Sequence, residues 1–291
     1  MTNFFRPGVV IPVGAGRLEN LVLVLEALEA QTRKPEAVVL VHDGPDAAGR
    51  VGGLTLDHKQ IILGKPHEPG EEQPRNVGVR HLIEHWPDCN AVWFLDTDII
   101  FGPDALEALT QTWEAVDHGR VIMAPYDWLP PGLRRIEPAL HNDPRWAMFE
   151  EARWADRTFT AFGQLNVGLG CFSGNLVWPI EEFTRIGGFW SEIHHGRCED
   201  GELGLRAVAQ GVPITTCPDA RGYHLWHPIN HDLAIARNAR DVPMLNDRHP
   251  WVQGEGLLVV ERDGRRFEQR CPTCNEIINT LDWWSHREWC K

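Results

Sequence analysis

Two aspartates stand inside an apolar run of the sequence. Residues 92–101 read VWFLDTDIIF, which places Asp96 and Asp98 one residue apart. Burying a carboxylate is costly unless a partner compensates its charge. Two carboxylates at the end of a strand offer the oxygen ligands that Mg²⁺ or Mn²⁺ prefers, with room for water and phosphate oxygens. The motif therefore predicts a site for a divalent cation and a diphosphate. The alternative is that both acids cap the turn after the strand.

Strands and helices alternate around this motif. The runs GVVIPV, AVVLVHDG and AVWFLDTD are typical of buried strands, and apolar residues recur at helical spacing from Leu18 to Leu28. This alternation predicts an α/β fold, a mostly parallel sheet with helices on both faces. Ligands of such sheets lie beyond the carboxyl ends of the strands. Asp43 ends the second strand, so we expect it on the same rim as Asp96 and Asp98.

Other segments have weaker patterns. Residues 44–74 form a polar stretch that is rich in Gly and Pro. Pro74 stands where a helix begins, in PRNVGVRHLIEHW. Residues 127–170 are rich in Pro, Trp and Arg and predict a long loop region that can hold one helix near residues 144–156.

The charge and hydropathy restrict the partners. The net charge is −13, which disfavours nucleic acid as a partner without excluding it, while it suits the recruitment of divalent cations. No apolar run approaches the ~20 residues that span a bilayer. Proline and glycine interrupt the N-terminal segment where a signal peptide would be apolar. We therefore expect a cytoplasmic protein that binds no membrane.

The C-terminal segment holds a second candidate metal site. Its spacing, C-x2-C-x11-H-x3-C, resembles a C2HC variant of the zinc finger and predicts a structural Zn²⁺ site. The four candidate ligands are Cys271, Cys274, His286 and Cys290. Accidental clustering is the alternative. In residues 261–291, six basic residues balance six acidic ones, which favours a protein or glycan contact over a DNA groove.

The order of the motifs resembles a known family. From residue 8 to about residue 235 the chain presents Pro12, HDG, PRNVGVRHL, LDTDI, GNLVWPIEEFTRIGGF, EDGELGLRAVAQG and YHLWHP. This series resembles the family 2 glycosyltransferases of the GT-A fold, which implies metal-dependent, inverting transfer of a sugar from a nucleotide-sugar. On this basis residues 1–240 form the transferase domain, with a nucleotide-binding half (1–126) and an acceptor-side half (127–240). Residues 241–291 form a hairpin, with RDGR as its turn, and the zinc module.

The resemblance also implies roles for residues of the donor site. Asp43 corresponds to the acid that bonds the nucleobase, usually uracil, although His42 replaces a frequent aspartate before it. Asp96 corresponds to a contact with the ribose or donor sugar, and Asp98 to the ligand of Mn²⁺ or Mg²⁺. The donor and nucleotide set implied is Pro12, Val13, Asp43, Arg75, Asn76, Asp96, Thr97, Asp98, Gly174 and Asn175. His224 or His227, in YHLWHP, is implied as a further ligand of this cation, since imidazole suits Mn²⁺ better than Mg²⁺.

The pair Glu199-Asp200 opens a predicted helix. An inverting transfer needs one base on the face opposite the leaving diphosphate, and the positive start of a helix keeps a carboxylate ionised. We therefore interpret Asp200 as the catalytic base. The family resemblance implies that Trp190, after GGF, lines the acceptor side, and we expect Glu199 on that side as well. The alternatives are helix capping for the two acids and core packing for Trp190.

Two other functions stay open at this point. A nucleotidyltransferase of related fold would need a basic phosphate-binding loop near the N-terminus, where PVGAGRLEN offers only Arg17. A non-catalytic binding module would work through the zinc finger. The donor is expected to be a nucleotide-sugar, most simply a UDP-sugar. The acceptor is open between a protein, a glycan and a small molecule.

Overall fold

The computed structural model describes residues 4–47, 55–116, 119–124, 126–128, 174–193, 198–225, 231–249, 259–260, 267–270 and 277–279. The chain divides into two compact units. One consists of Met1–His195 with Glu199–Pro228, and the other of Gly196–Cys198 with Ile229–Lys291. The expected boundary at residues 240 and 241 stays a prediction.

A sheet of seven strands forms the centre of the first unit. Its strands are β1 (Pro7–Val13), β2 (Ala37–His42), β3 (His58–Ile62), β4 (Ala91–Leu95), β6 (Val121–Met123), β8 (Asn175–Pro179) and β9 (Ile214–Thr216), in the order β3-β2-β1-β4-β8-β6-β9. Strand β8 is antiparallel to its neighbours β4 and β6, and every other pair is parallel. The predicted mostly parallel sheet is therefore confirmed.

Helices pack on both faces of this sheet, as predicted. They are α1 (Leu18–Glu29), α2 (Pro74–His85), α3 (Ala105–Ala115), α4 (Ile180–Arg185) and α5 (Cys198–Ala209). Because strand side chains alternate, Val9 and Ile11 of β1 join the core under α1 and α3, whereas Val10 joins the core under α2, α4 and α5. Helix α1 buries Leu21, Val24, Leu25 and Leu28, whereas its Val22 is 45% exposed.

Strand β3 lies in the polar stretch of residues 44–74, to which the sequence patterns assigned no element. Strand β3 pairs in parallel with β2 at the edge of the sheet. Its residues are half-buried or exposed. A strand at the edge of a sheet can fold without a continuous apolar run. Its sequence HKQII therefore lacks the pattern that identified β1, β2 and β4.

A second, smaller sheet lies beside the first in the same unit. Its strands are β5 (Ile99–Phe101), β7 (Tyr126–Trp128) and β10 (Gly222–His224), with β10 in the centre. Strand β10 is antiparallel to β5 and places His224 opposite Ile99. Since Ile99 directly follows Asp98, this register brings the histidine to the second aspartate of the motif.

The second unit contains a helix and an antiparallel sheet in its described residues. Helix α6 spans His231–Arg248, and the strands are β11 (Val259–Val260), β12 (Phe267–Arg270) and β13 (Ile277–Asn279). The predicted turn RDGR, the four zinc ligands and residues 129–170 lie outside the described part of the chain. Among the described helices, none has the length and apolar character needed to cross a membrane.

Gly78 lets α2 approach the sheet closely, which gives a test of the packing. A Cβ at this position would collide with Cγ1 of Val10 and lie 3.2 Å from Cγ2 of Val41. Overpacking costs about 1–3 kcal/mol, while Ala gains only about 1 kcal/mol over Gly in a helix. Gly78→Ala should therefore lower the free energy of unfolding by about 1 kcal/mol, measured by urea unfolding. Gly64→Ala, with no atom within 4 Å of its added Cβ, is the control and should change little.

Candidate active site

Asp98 is buried in a set of polar side chains between β4 and β5. It is 7% exposed. Its Oδ2 lies 3.3 Å from Nη1 of Arg17, and its Oδ1 lies 3.5 Å from Nε2 of His224. The backbone N–H of Leu225 donates to the carbonyl of Asp98 at 2.6 Å. The pairing of β10 with β5 therefore fixes both the aspartate backbone and the histidine beside it.

Arg75 joins Asp96 to the acids of helix α5. Its Nη2 donates to Oδ1 of Asp96 at 2.5 Å, and its Nη1 lies 3.8 Å from Oε1 of Glu199. The arginine and Glu199 are almost fully buried, whereas the Asp96 side chain is 36% exposed. Asp96 is thus held on one side and open to solvent on the other. Glu199 faces Arg75 in the interior, which fits a positioning role; its assignment to the acceptor stays a prediction.

The charge of Arg75 is secured by its neighbours. Burial by itself disfavours the charged guanidinium, but the carboxylates of Asp96, Asp200 and Glu199 together outweigh it and raise the pKa of Arg75. The guanidinium carbon also lies 5.4 Å from the centre of the Phe189 ring, a favourable cation–π distance. Asp200 is therefore close enough to Arg75 to contribute, and it stands in the first turn of α5, as predicted.

The acids outnumber the bases in this set. Asp96, Asp98, Glu199 and Asp200 carry four negative charges, and Arg17 and Arg75 carry two positive ones. With a neutral His224, four minus two leaves a net charge of −2. One divalent cation would neutralise this excess, and carboxylate with imidazole is a donor set that suits Mn²⁺.

Gly174 borders the motif where no larger residue fits. A Cβ on this glycine would lie 2.6 Å from Oδ2 of Asp96 and 2.6 Å from Cδ1 of Ile99. The next residue, Asn175, is buried, and its Nδ2 donates to the carbonyl of Ala124 at 2.5 Å. The backbone of the GNLVW segment therefore lies directly against the Asp96 carboxylate, while the Asn175 amide links β8 to the end of β6.

Asp43 directly follows β2, at the end of the sheet where it was predicted, and its carboxylate is half-buried. Its Oδ1 accepts the backbone N–H of His67 at 2.6 Å, and its own N–H donates to Val13 at 2.8 Å. Val13, like Pro12, lies in the buried end of β1. Asp43 thus links the ends of β1 and β2 to the loop before α2. His42, the departure from the family pattern, is fully buried, with Nε2 3.2 Å from Oε1 of Gln60.

Buried side chains hold the loop of residues 186–193, which carries Trp190. The Asn76 amide donates to the carbonyl of Phe189 and accepts its N–H, at 2.8 and 2.9 Å. Gln73 donates to the carbonyls of Trp190 and Ile193 at 3.3 and 2.8 Å. In this structure the Asn76 side chain therefore fixes the loop backbone.

Arg206 supports the same loop from helix α5. Its guanidinium donates to the carbonyls of Ile186 and Gly188 at 2.5 and 2.7 Å, and it pairs with Glu202. Gly188 has φ +65°, and a Cβ there would lie 2.6 Å from Oδ1 of Asn76. The loop is thus tied to both α2 and α5, which fixes the backbone at Trp190.

The structure brings most of the predicted residues together. Arg75, Asp96, Thr97, Asp98, Gly174, Glu199, Asp200 and His224 all lie in or against the set described above. His227 lies outside the described residues.

Sequence reasoning missed Arg17, Gln73 and Arg206. For Gln73 and Arg206 the glycine pair before Phe189 was a usable sign, because such a turn needs partners for its carbonyl groups. The sequence presents Arg17 only as the single basic residue of PVGAGRLEN, and no local pattern relates it to Asp98.

This architecture is the GT-A fold, shared with solved glycosyltransferase structures. TarS 1–349 of S. aureus, in complex with UDP-GlcNAc, superposes with a TM-score of 0.58 at 15% identity, covering 89% of this chain and 68% of that 1–349 chain. GalNAc-T7, with UDP, GalNAc and Mn²⁺, superposes with a TM-score of 0.54 at 12% identity, covering 88% of this chain and 57% of the other.

Two curated proteins are similar in sequence, while no family model matches the chain. Validoxylamine A glucosyltransferase of Streptomyces hygroscopicus subsp. jinggangensis (strain 5008) is 24% identical over 203 residues, 60% of this chain and 47% of that protein. Its counterpart in subsp. limoneus is also 24% identical, over 60% of this chain and 44% of its own length. The chain therefore spans about half of the length of these relatives.

Proposed function

We propose that this chain transfers a sugar from a nucleoside-diphosphate donor to a hydroxyl acceptor, with inversion and with the help of Mn²⁺ or Mg²⁺. The observation that carries this proposal is the paired arrangement of Asp96 on Arg75 and of Asp98 beside His224 at the carboxyl end of β4. A UDP-sugar is the donor that we favour, because UDP-GlcNAc and UDP are bound in the similar structures. The acceptor is a protein, a glycan or a small molecule.

Asp98 and His224 would hold the divalent cation. The donor set and the excess of two negative charges both fit such an ion. When bound, the cation neutralises charge that develops on the leaving diphosphate. Arg75 keeps Asp96 in place and leaves the open side of that carboxylate to the ribose or donor sugar. Gly174 permits close approach at the same point, since any side chain there would fill the space against Asp96.

Asp200 would serve as the base. It lies in the first turn of α5, where the helix dipole favours its ionised form. Its negative charge also helps to raise the pKa of Arg75. Such a carboxylate can take the proton of the acceptor hydroxyl as the new bond forms. Trp190, on its fixed loop, offers an aromatic face for a sugar ring of the acceptor.

A panel of nucleotide-sugars with Mn²⁺ tests this function. We expect one UDP-sugar to release UDP and to raise the temperature of unfolding more than the others. A nucleotidyltransferase would instead release pyrophosphate from a nucleoside triphosphate and a sugar phosphate. Binding of donors with no release of nucleotide, under any acceptor tested, would favour a non-catalytic module.

The guanidinium of Arg17 lies against the Asp98 carboxylate, where the cation would bind. The two positive charges would therefore compete for this carboxylate. Arg17→Gln should raise the affinity for Mn²⁺ in the absence of donor, because it removes a competing positive charge. The pair is partly exposed, and such pairs contribute about 0–1 kcal/mol, so the gain should not exceed about five-fold. Mn²⁺ titration followed by calorimetry measures it. Arg6→Gln, just before β1 at the other end of the strand, is the control; weaker Mn²⁺ binding by Arg17→Gln would contradict the competition.

We also propose that Cys271, Cys274, His286 and Cys290 bind one structural Zn²⁺. Strands β12 and β13 pair Arg270 with Ile277, so the two cysteines of CPTC fall in sequence between paired antiparallel strands. A short segment of this kind needs a metal for its folding energy.

Elemental analysis should then find about one zinc per chain fewer in Cys274→Ser than in the wild type. Cys198→Ser is the control, because Cys198 lies outside the motif and should leave the zinc content unchanged. Truncation before Arg270 should leave donor hydrolysis intact and reduce transfer to the acceptor or change the oligomeric state. Folded protein without zinc, in which Cys271 and Cys274 are alkylated rapidly, would end the proposal.

A further inference from the structure

The last turn of helix α2 carries two histidines and a glutamate on one surface. His81, Glu84 and His85 each present one donor atom, and these atoms lie within 4.8 Å of one another. Residues three and four apart face the same side of a helix. Arg75 stands ten residues before His85 in the same helix, about 15 Å away at the helical rise. The cluster is therefore separate from the candidate active site.

The two imidazole rings are already arranged side by side. Their centroids are 3.9 Å apart and their planes differ by 24°. Nδ1 of His85 lies 3.1 Å from the backbone carbonyl oxygen of His81. When Nδ1 carries the proton and donates to this carbonyl, Nε2 keeps its lone pair. Histidines that bind metals are commonly oriented by such a bond from the other ring nitrogen.

His81, the more buried of the two histidines, has a ring nitrogen that forms no hydrogen bond within the described part of the chain. Nε2 of His81 is buried and has no hydrogen-bond partner among the described residues. Buried polar atoms are nearly always paired, so an atom of this kind calls for a ligand. The neutral imidazole ring is the form that binds a metal, and this nitrogen is available for that purpose.

We propose that His81, Glu84 and His85 form a transition-metal site, with Zn²⁺, Ni²⁺ or Cu²⁺ as its ion. Two imidazoles and one carboxylate favour these ions over Mg²⁺ and Ca²⁺, which prefer oxygen ligands alone. Around a tetrahedral Zn²⁺ with bonds of about 2.0–2.1 Å, donors stand about 3.3 Å apart. Rotation of the exposed Glu84 and His85 side chains closes the remaining distance. Water completes the coordination.

Calorimetric titration of the full chain with ZnCl₂ tests the site. Four chains are compared: the wild type, His85→Gln, Glu84→Gln and the control His58→Gln, which removes a histidine on β3. We expect the wild type and the control to bind zinc with equal affinity. In His85→Gln and Glu84→Gln the affinity should fall by more than about tenfold, because the loss of a group that merely orients a ligand already costs at least about tenfold. Zinc held by the C-terminal cysteines would be present in all four chains, so the difference isolates helix α2.

Two further measurements on the same proteins decide the outcome. The temperature of unfolding should rise with Zn²⁺ in the wild type more than in His85→Gln, because the ion links successive turns of α2. Release of nucleotide from the donor should be the same in both, since neither Glu84 nor His85 belongs to the active site. Equal zinc affinity and equal thermal shifts in all four chains would overturn the proposal.

Discussion

Asp200→Asn is expected to lower the rate of sugar transfer by roughly 10²–10⁴, the range for a lost general base. The amide retains the size of the side chain but cannot take the proton of the acceptor hydroxyl. Donor affinity should stay within a few-fold of the wild type, because the nucleotide and the cation are expected to contact Asp43, Asp96 and Asp98. Single-turnover transfer and calorimetric donor binding measure the two effects separately.

The control for this substitution is Asp104→Asn. Asp104 precedes helix α3 and its side chain makes no capping hydrogen bond, so the same chemical change there should leave transfer unaffected. The product of the wild-type enzyme should have the anomeric configuration opposite to that of the donor, as seen by NMR. A retained configuration would exclude Asp200 from the role of base in an inverting transfer.

Asp98→Asn should reduce metal-dependent release of nucleotide from the donor by more than about 10²-fold. Loss of a group that only orients a metal ligand costs up to about 10²-fold, and loss of the ligand itself should cost more. The amide has lost the negative charge that the cation needs, while its size preserves the packing between β4 and β5. Chelation with EDTA should have the same effect on the wild type, and added Mn²⁺ should restore activity in the wild type alone. Steady-state release of UDP provides the measurement.

Asp88→Asn is the matched control for Asp98→Asn, because it removes a carboxylate of the first unit whose side chain is 76% exposed. Far-UV circular dichroism and the temperature of unfolding should match the wild type for both variants. Full activity in a thoroughly chelated sample would rule out the metal-dependent mechanism.

The sequence by itself determined the class of fold and the identity of most acids in the site. Burial alternates with period two in a strand and about 3.6 in a helix, so β1, β2, β4 and the faces of α1 and α3 follow from local composition. Strand β3 could not be recognised from the sequence, because a half-exposed edge strand shows little of this alternation. Asp96, Asp98 and Asp200 were recognisable because acids at the ends of apolar runs and helix starts are chemically conspicuous.

Only the tertiary structure decided which groups these acids face. The antiparallel register of β5 and β10 brings His224 to Asp98, and no spacing in the sequence specifies that pairing. The contacts of Arg17 with Asp98 and of Arg75 with Glu199 join residues far apart in the chain. Such contacts depend on the packing of the whole sheet and its helices, whereas local patterns report only whether a residue is buried. The charge of each acid was therefore readable from the sequence, whereas its partner was not, except that the family resemblance implied His224 or His227 at the cation of Asp98.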